Sequence, residues 1–287
     1  MIHRSKHGSR IVLFCVAGML GLWAGGKNLA QAGEVIRVVG STTVLPIVSR
    51  AAEAYMNLHG GEVQITVNAG GSGVGVNGAG TGQAQIGMVS REVTSEERDR
   101  FSRPGLKTFV VGRDAVACAI SASVYEAGVR SLTREQIAKI YRGEIRNWKA
   151  VGGPDRAIVV IDKEHHRGTR HVFMNFVFGD ENARAPGARL VTGANNEEQA
   201  KIGQSDSAIG MLSLAWLNGR VRGVAIELNG DRIEPTLQNI VTGRFPISRN
   251  LNLVTVGEPQ GQVRKFIDFI QGPEGRKIVE GSGYIAP

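Results

Sequence analysis

EVQITVNAGGSGVGVNGAGTG, residues 62–82, decides what kind of α/β protein this chain is. Its first part, EVQITV, alternates apolar and polar residues as a β-strand does. Its second part carries seven glycines in the thirteen residues 70–82, and Gly73, Gly75 and Gly78 have the G-x-G-x-x-G spacing of a dinucleotide loop. That fingerprint needs its glycines to open a sturdy helix inside a βαβ unit, with an acidic residue about 20 positions on. GVGVNGAGTGQAQ is too rich in glycine for a strong helix, because each glycine costs roughly 1 kcal/mol against alanine. The segment is therefore expected to be a binding loop of another kind.

Two further junctions have the same make-up. EVIRVV leads through GSTT (40–43) into a segment where Ile47, Val48, Ala51, Ala52 and Tyr55 keep helical spacing, Pro46 suits a first turn and Gly60 a stop. AIVVI leads through DKEHHRGTR (162–170) into HVFMNFVFG, whose Val172, Phe173, Phe176 and Val177 share one face. Where a strand turns into a helix, the first backbone N–H groups lack helical partners and carry the positive end of the helix dipole, so they can hold an anion. Serine and threonine hydroxyls add donors that rotate to suit it. Each turn also has a plainer reading: Ser41, Thr42 and Thr43 as caps, Ser72 in a simple loop, Arg167 and Arg170 as solvated charges. Three such turns together point to a shared site for a small oxyanion.

Strand-like and helix-like segments alternate through the rest of the chain, which indicates an α/β fold with largely parallel sheets. Thr94 with Glu97, and Thr133 with Gln136, make capping boxes; Leu132 and Ile137 can staple the second helix and Gly143 ends it. KTFVVG and AVACAIS read as two strands, NEEQAKIGQ as a helix, LNLVTV as a strand, and Val263, Phe266, Ile267 and Ile270 as the inner face of a closing helix.

Residues 1–32 combine a basic start (Arg4, Lys6, Arg10), the apolar run IVLFCVAGMLGLWAGG and a small-residue ending at Ala32, the pattern of a cleavable export signal. The run is shorter than the roughly 20 apolar residues of a membrane span, and Cys15 lacks the small preceding residue of a lipoprotein site. Cleavage removes four basic residues and no acidic one, so the net charge falls from +8 to +4. That mild positive balance suits an anionic small ligand and does not indicate nucleic acid. Cys118, the one cysteine left, lies in AVACAI and reads as a packing residue.

With the turns VVGSTTVLPI, GGSGVGV and RGTR in place, the chain resembles the phosphate-binding proteins of Pst ABC transporters, which are type II periplasmic binding proteins. IGMVSRE, SLTREQIAKIYRGEIRNWKAVGGPDRAIVVI, SDSAIGML, PTLQNIVTGRFPISRNLNLVT and GYIAP follow in the family's order, and LTREQIAKIYRGEIRNWKAVGG is highly specific. The resemblance implies an α/β fold of two lobes joined by two crossing strands, with the anion in the cleft between them. It places lobe 1 at 33–116 with 225–287 and lobe 2 at 117–224, with AVACAIS as one crossing strand. Carried over by position, Thr42, Thr43, Ser72 and Ser90 would bind the ligand from one lobe, and Lys163, Gly168 and Thr169 from the other. Arg91 stands where well-studied members have an aspartate that reads the proton of phosphate, and Arg167 where they have a serine; both are expected at the anion.

The implied role is that of a monomeric periplasmic receptor which captures inorganic phosphate by lobe closure and delivers it to an ABC permease of the inner membrane, with no cofactor and no catalysis. A receptor for another tetrahedral oxyanion, sulfate-like or a phosphonate, is the alternative. A phosphate-ester hydrolase lacks a nucleophile beside a base and a carboxylate cluster for metals; a sensory or adhesive protein on the same fold is also compatible with the sequence. His165, His166 and His171 match no common zinc spacing.

Overall fold

The computed structural model describes residues 33–287. The expected export signal and Cys15 lie outside the described residues. The first part of the chain forms β1 (Glu34–Gly40), α1 (Leu45–Leu58), β2 (Val63–Ala69), α2 (Ser72–Gly80), β3 (Ile86–Val89) and α3 (Ser95–Arg100). A long strand, β4 (Leu106–Ser121), leads into α4 (Ala122–Glu126), β5 (Ser131–Thr133), α5 (Arg134–Arg142), β6 (Val159–Lys163), α6 (Gly168–Phe178), β7 (Ala188–Thr192) and α7 (Asn195–Gln204). Then come β8 (Ala208–Ser213), β9 (Val221–Gly223), β10 (Ala225–Leu228), β11 (Asp231–Ile233) and α8 (Leu237–Val241). The chain returns through β12 (Ser248–Val256) and ends with α9 (Gly261–Gln271) and α10 (Pro273–Gly281).

The main sheet runs in the order β2, β1, β3, β12, β4, β8, β6, β7, with β9 also on β4. Pairs β1/β2, β1/β3, β6/β7 and β6/β8 are parallel. β4 joins the two ends: Leu106 to Ala115 lie antiparallel to β12, and Val116 to Ile120 antiparallel to β8. KTFVVG and AVACAIS are thus one strand rather than two. The polar Gly112-Arg113-Asp114 break stays in the ladder because Arg113 N–H donates to the Ile285 carbonyl at 2.8 Å and Asp114 sits opposite Arg249. Val111 is the extra residue of a bulge, since Gly112 faces Leu251 and Val110 faces Asn252.

Two hydrophobic cores flank this join. One gathers Ile36, Val38, Ile47, Val48, Met88, Leu253, Phe266 and Ile267. The other gathers Val116, Ile137, Tyr141, Trp148, Phe173 and Met211, together with Ile226, Ile233, Ile240 and Phe245 from the segment before β12. Both capping boxes are present, and Gly143 ends α5 in the left-handed region (φ 76°). Among the described residues no helix is long and apolar enough to cross a membrane.

The glycine-rich segment departs from its reading: it forms α2, a nine-residue helix. Packing supplies what propensity lacks. A Cβ on Gly75 would stand 2.4 Å from the Met88 carbonyl oxygen, and one on Gly78 2.6 Å from Val39 Cγ1. The missing side chains let the helix lie directly on β1 and β3.

Candidate anion site

Four helices, α1, α2, α6 and α7, start around one small cavity, and in none does the N-cap residue's own side chain cap the first turn. The positive ends of their dipoles favour negative charge there. The cavity is tight, with a volume of about 10 Å³, against roughly 300–1,000 Å³ for pockets that take drug-sized ligands. A dinucleotide does not fit it.

From the first half, Ser41, Thr42, Thr43, Gly71 and Ser90 line the cavity; from the second, Lys163, Arg167, Gly168, Thr169, Gly193 and Asn195. The threonines do not cap α1. Ser41 Oγ accepts from Thr43 N–H at 3.1 Å, while the Thr42 and Thr43 hydroxyls meet Asn195 across the cleft. Ser72 is fully buried one layer behind, its Oγ accepting from Ser90 N–H at 3.0 Å. It holds the end of β3 in place rather than lining the cavity. Gly168 sits against both serines: a Cβ there would lie 2.3 Å from Ser72 Oγ and 2.7 Å from Ser90 Oγ.

Every cation at the site has its own carboxylate. Lys163 Nζ pairs with Glu198, both buried, and Glu198 also accepts from Met211 N–H at 2.8 Å. Burial pushes the Glu198 carboxyl up from its usual range, against the pull of Lys163. Arg167 is held by Glu164, with Nε at 2.8 Å. No carboxylate lines the cavity itself, so the site offers fixed neutral donors and paired cations rather than a loose counter-ion.

Arg91 corrects an expectation. It does not line the cavity. Its guanidinium turns to Glu97 on α3 and forms two hydrogen bonds of 2.7 Å, with a third to the Glu92 carbonyl. Burial raises the Glu97 carboxyl, but the Arg91 hydrogen bond and charge outweigh it and hold the group below its usual range. Arg91 instead borders an open groove of about 590 Å³ beside His171 and Asn250. His171 is pushed below the usual histidine range by burial and by the Arg91 charge. Among the described residues no group of three or more His, Cys, Asp or Glu side chains could hold a metal ion.

Arg249 is the residue that sequence reasoning missed. It lies directly opposite Asp114 where β12 crosses β4, and both are buried. Nε and Nη2 donate to Asp114 Oδ2 at 3.1 and 2.7 Å, while Nη1 reaches Thr169 Oγ1 at 3.0 Å and the Ser90 carbonyl at 3.1 Å. One guanidinium therefore ties both halves and the crossing strands together behind the cavity. The available signal was Asp114 within VVGRDAVACAI and Arg249 within ISRNLNLVTV, an acid and a base inside two largely apolar strands. Asn195 was missed because its helix was read without the Thr192-Gly193 turn that opens it.

A model of the PBP superfamily domain matches residues 27–274. The phosphate-binding protein PstS of Borreliella burgdorferi is 31% identical over 258 residues, covering 88% of this chain and 90% of its own length. The chain belongs to the PstS family of phosphate-binding proteins. Another relative, PstS of Bacillus subtilis, is 29% identical and covers 90% of this chain and 83% of its own. Among solved structures, a phosphate ABC transporter substrate-binding protein of Clostridium perfringens with bound phosphate superposes with a TM-score of 0.79 at 30% identity, covering 88% of this chain and all of that one. The family's type II fold accounts for β4 and β12 as the crossing strands.

Proposed function

We propose that this protein captures inorganic phosphate in the cavity by closure of its two halves and delivers it to an ABC permease of the inner membrane. It acts as an exported, periplasmic monomer and carries out no covalent chemistry. The observation that carries this reading is the convergence of four helix N-termini on one small cavity lined by Ser41, Thr42, Thr43, Ser90, Thr169 and Asn195. Backbone N–H groups and hydroxyls suit a compact tetrahedral anion. The names of the relatives and the phosphate bound in the Clostridium perfringens protein support the choice of phosphate.

In this reading Thr42, Thr43, Ser90, Gly168 and Thr169 touch the anion, Lys163 and Arg167 supply positive potential, and Ser72 supports Ser90. Arg249 replaces Arg91 as the arginine of the site. The second lobe extends to about residue 247 rather than 224, because Ile226, Ile233, Ile240 and Phe245 pack into its core. Calorimetry of the mature protein against phosphate, arsenate, sulfate and phosphonates at two pH values tests the proposal. Heat and a thermal shift with phosphate are expected; neither with any of these anions would refute it.

A further inference from the structure

Asn195 is the first residue of α7, belongs to the second half and is buried. It reaches across the cleft. Its Nδ2 donates to Thr43 Oγ1 at 2.9 Å, and its backbone N–H points to Thr42 Oγ1 at 3.4 Å. Arg249 Nη2 also donates to Thr43 Oγ1, at 3.3 Å. A hydroxyl has two acceptor positions and one proton. Guanidinium N–H and carboxamide N–H groups can only donate, so these two contacts fill the acceptor positions of Thr43. Its proton is left to be given elsewhere, and the cavity is what Thr43 lines.

Resting on the phosphate reading above, we infer that Asn195 is a positioning residue which fixes the Thr43 hydroxyl as a donor to the anion and ties that orientation to closure. With the halves apart, Asn195 leaves Thr43, and the hydroxyl is free to rotate and use its proton elsewhere. With them together, the hydroxyl is aimed. The anion is thus met by an oriented donor only in the closed form, and the effect of Asn195 falls on release more than on capture. A carboxamide turned the other way would place an oxygen against Thr43 and draw the proton away from the ligand, so the arrangement has a distinct chemical signature.

The test measures phosphate affinity by calorimetry and release by stopped-flow for wild type, Asn195→Ala, Thr43→Val, the double variant and Asn195→Asp. Each single truncation is expected to weaken binding about 10- to 100-fold, the size of a lost bond to a charged group. The double variant should lie within about threefold of Thr43→Val, because both changes remove one donor. Asn195→Asp should bind poorly at pH 8, where its carboxylate takes the Thr43 proton. Its ratio to wild type should recover toward pH 5 as the carboxyl protonates and can donate again; a purely structural role would produce no such pH-dependent recovery. Losses that multiply in the double variant, or Asn195→Asp tracking wild type at every pH, would overturn the inference. If Asn195→Ala fails to fold, the nearly isosteric Asp variant carries the test alone. Wild type that binds no phosphate would sink the parent reading; wild type that binds while all Asn195 variants match it would sink only this one.

Discussion

Gly168→Ala tests the closed geometry with a single methyl group. The added Cβ would stand 2.3 Å from Ser72 Oγ, 2.7 Å from Ser90 Oγ and 3.1 Å from the Ser90 carbonyl carbon, where ordinary contact begins near 3.4 Å. All three atoms belong to the opposite half, so relief requires the halves to part by about 1 Å, since a core contact this close is strongly repulsive. The bonds across the cleft are short: Arg249 to Thr169 at 3.0 Å, Asn195 to Thr43 at 2.9 Å, Gly73 N–H to the His166 carbonyl at 3.0 Å. An added ~1 Å takes them past hydrogen-bonding distance. Losing two contacts to the anion, at about 1.5–3 kcal/mol each, weakens phosphate binding by roughly 3–6 kcal/mol, or about 150- to 25,000-fold. Gly168 is not in the left-handed region, and alanine is favoured over glycine in a helix by about 1 kcal/mol. The melting temperature without phosphate should therefore hold or rise while calorimetry shows affinity collapsing. Binding within threefold of wild type would refute the idea that these surfaces meet in the bound form.

Arg249→Met should abolish measurable binding and, by leaving Asp114 buried and unpaired, cost about 3–5 kcal/mol in urea unfolding; adding Asp114→Asn should restore most of the stability but not the binding. Arg91→Ala should leave phosphate affinity within about threefold, and a tenfold loss in calorimetry would return Arg91 to the site. The same variant should lose about 1–2 kcal/mol at pH 7. Glu97 is held below its usual range, so its pair stabilises above the unfolded value of about 4.3 and fades as pH falls through the folded one; the gap between wild type and variant should shrink below about pH 4. His171 is likewise held low, so its contribution is complete above the unfolded value of about 6.5 and declines on acidification. Wild type should lose more stability than His171→Gln between pH 7 and 5 in urea melts, and equal slopes would refute that.

Features set by neighbours along the chain were legible in the sequence. Thr94 with Glu97 and Thr133 with Gln136 cap as their spacing indicates, and Gly143 stops its helix. Features set by distant chain were not. The Asp114 and Arg249 charges lie 135 residues apart and become a pair only when β4 and β12 meet in register. Arg91 looked like a charge for the anion, yet Glu97, six residues on, captures it through a contact already implicit in the capping box. The turn before α7 has the same electrostatics as the other three but lacks their serine-rich or glycine-rich spelling, so the fourth helix end went unread.

Glycine in 70–82 argues against a strong helix on propensity alone, and packing gives it the opposite meaning. Gly75 fits only because Gly40 and Gly87 leave room, and the three backbones lock together around Met88. In a mutational scan this segment should tolerate change as poorly as the hydrophobic core, with alanine as damaging as larger residues at Gly75. Cβ atoms on Gly40 and Gly87 would each strike the Gly75 backbone, so the three positions depend on one another. A stretch that looks like low-complexity filler is among the least editable parts of the molecule.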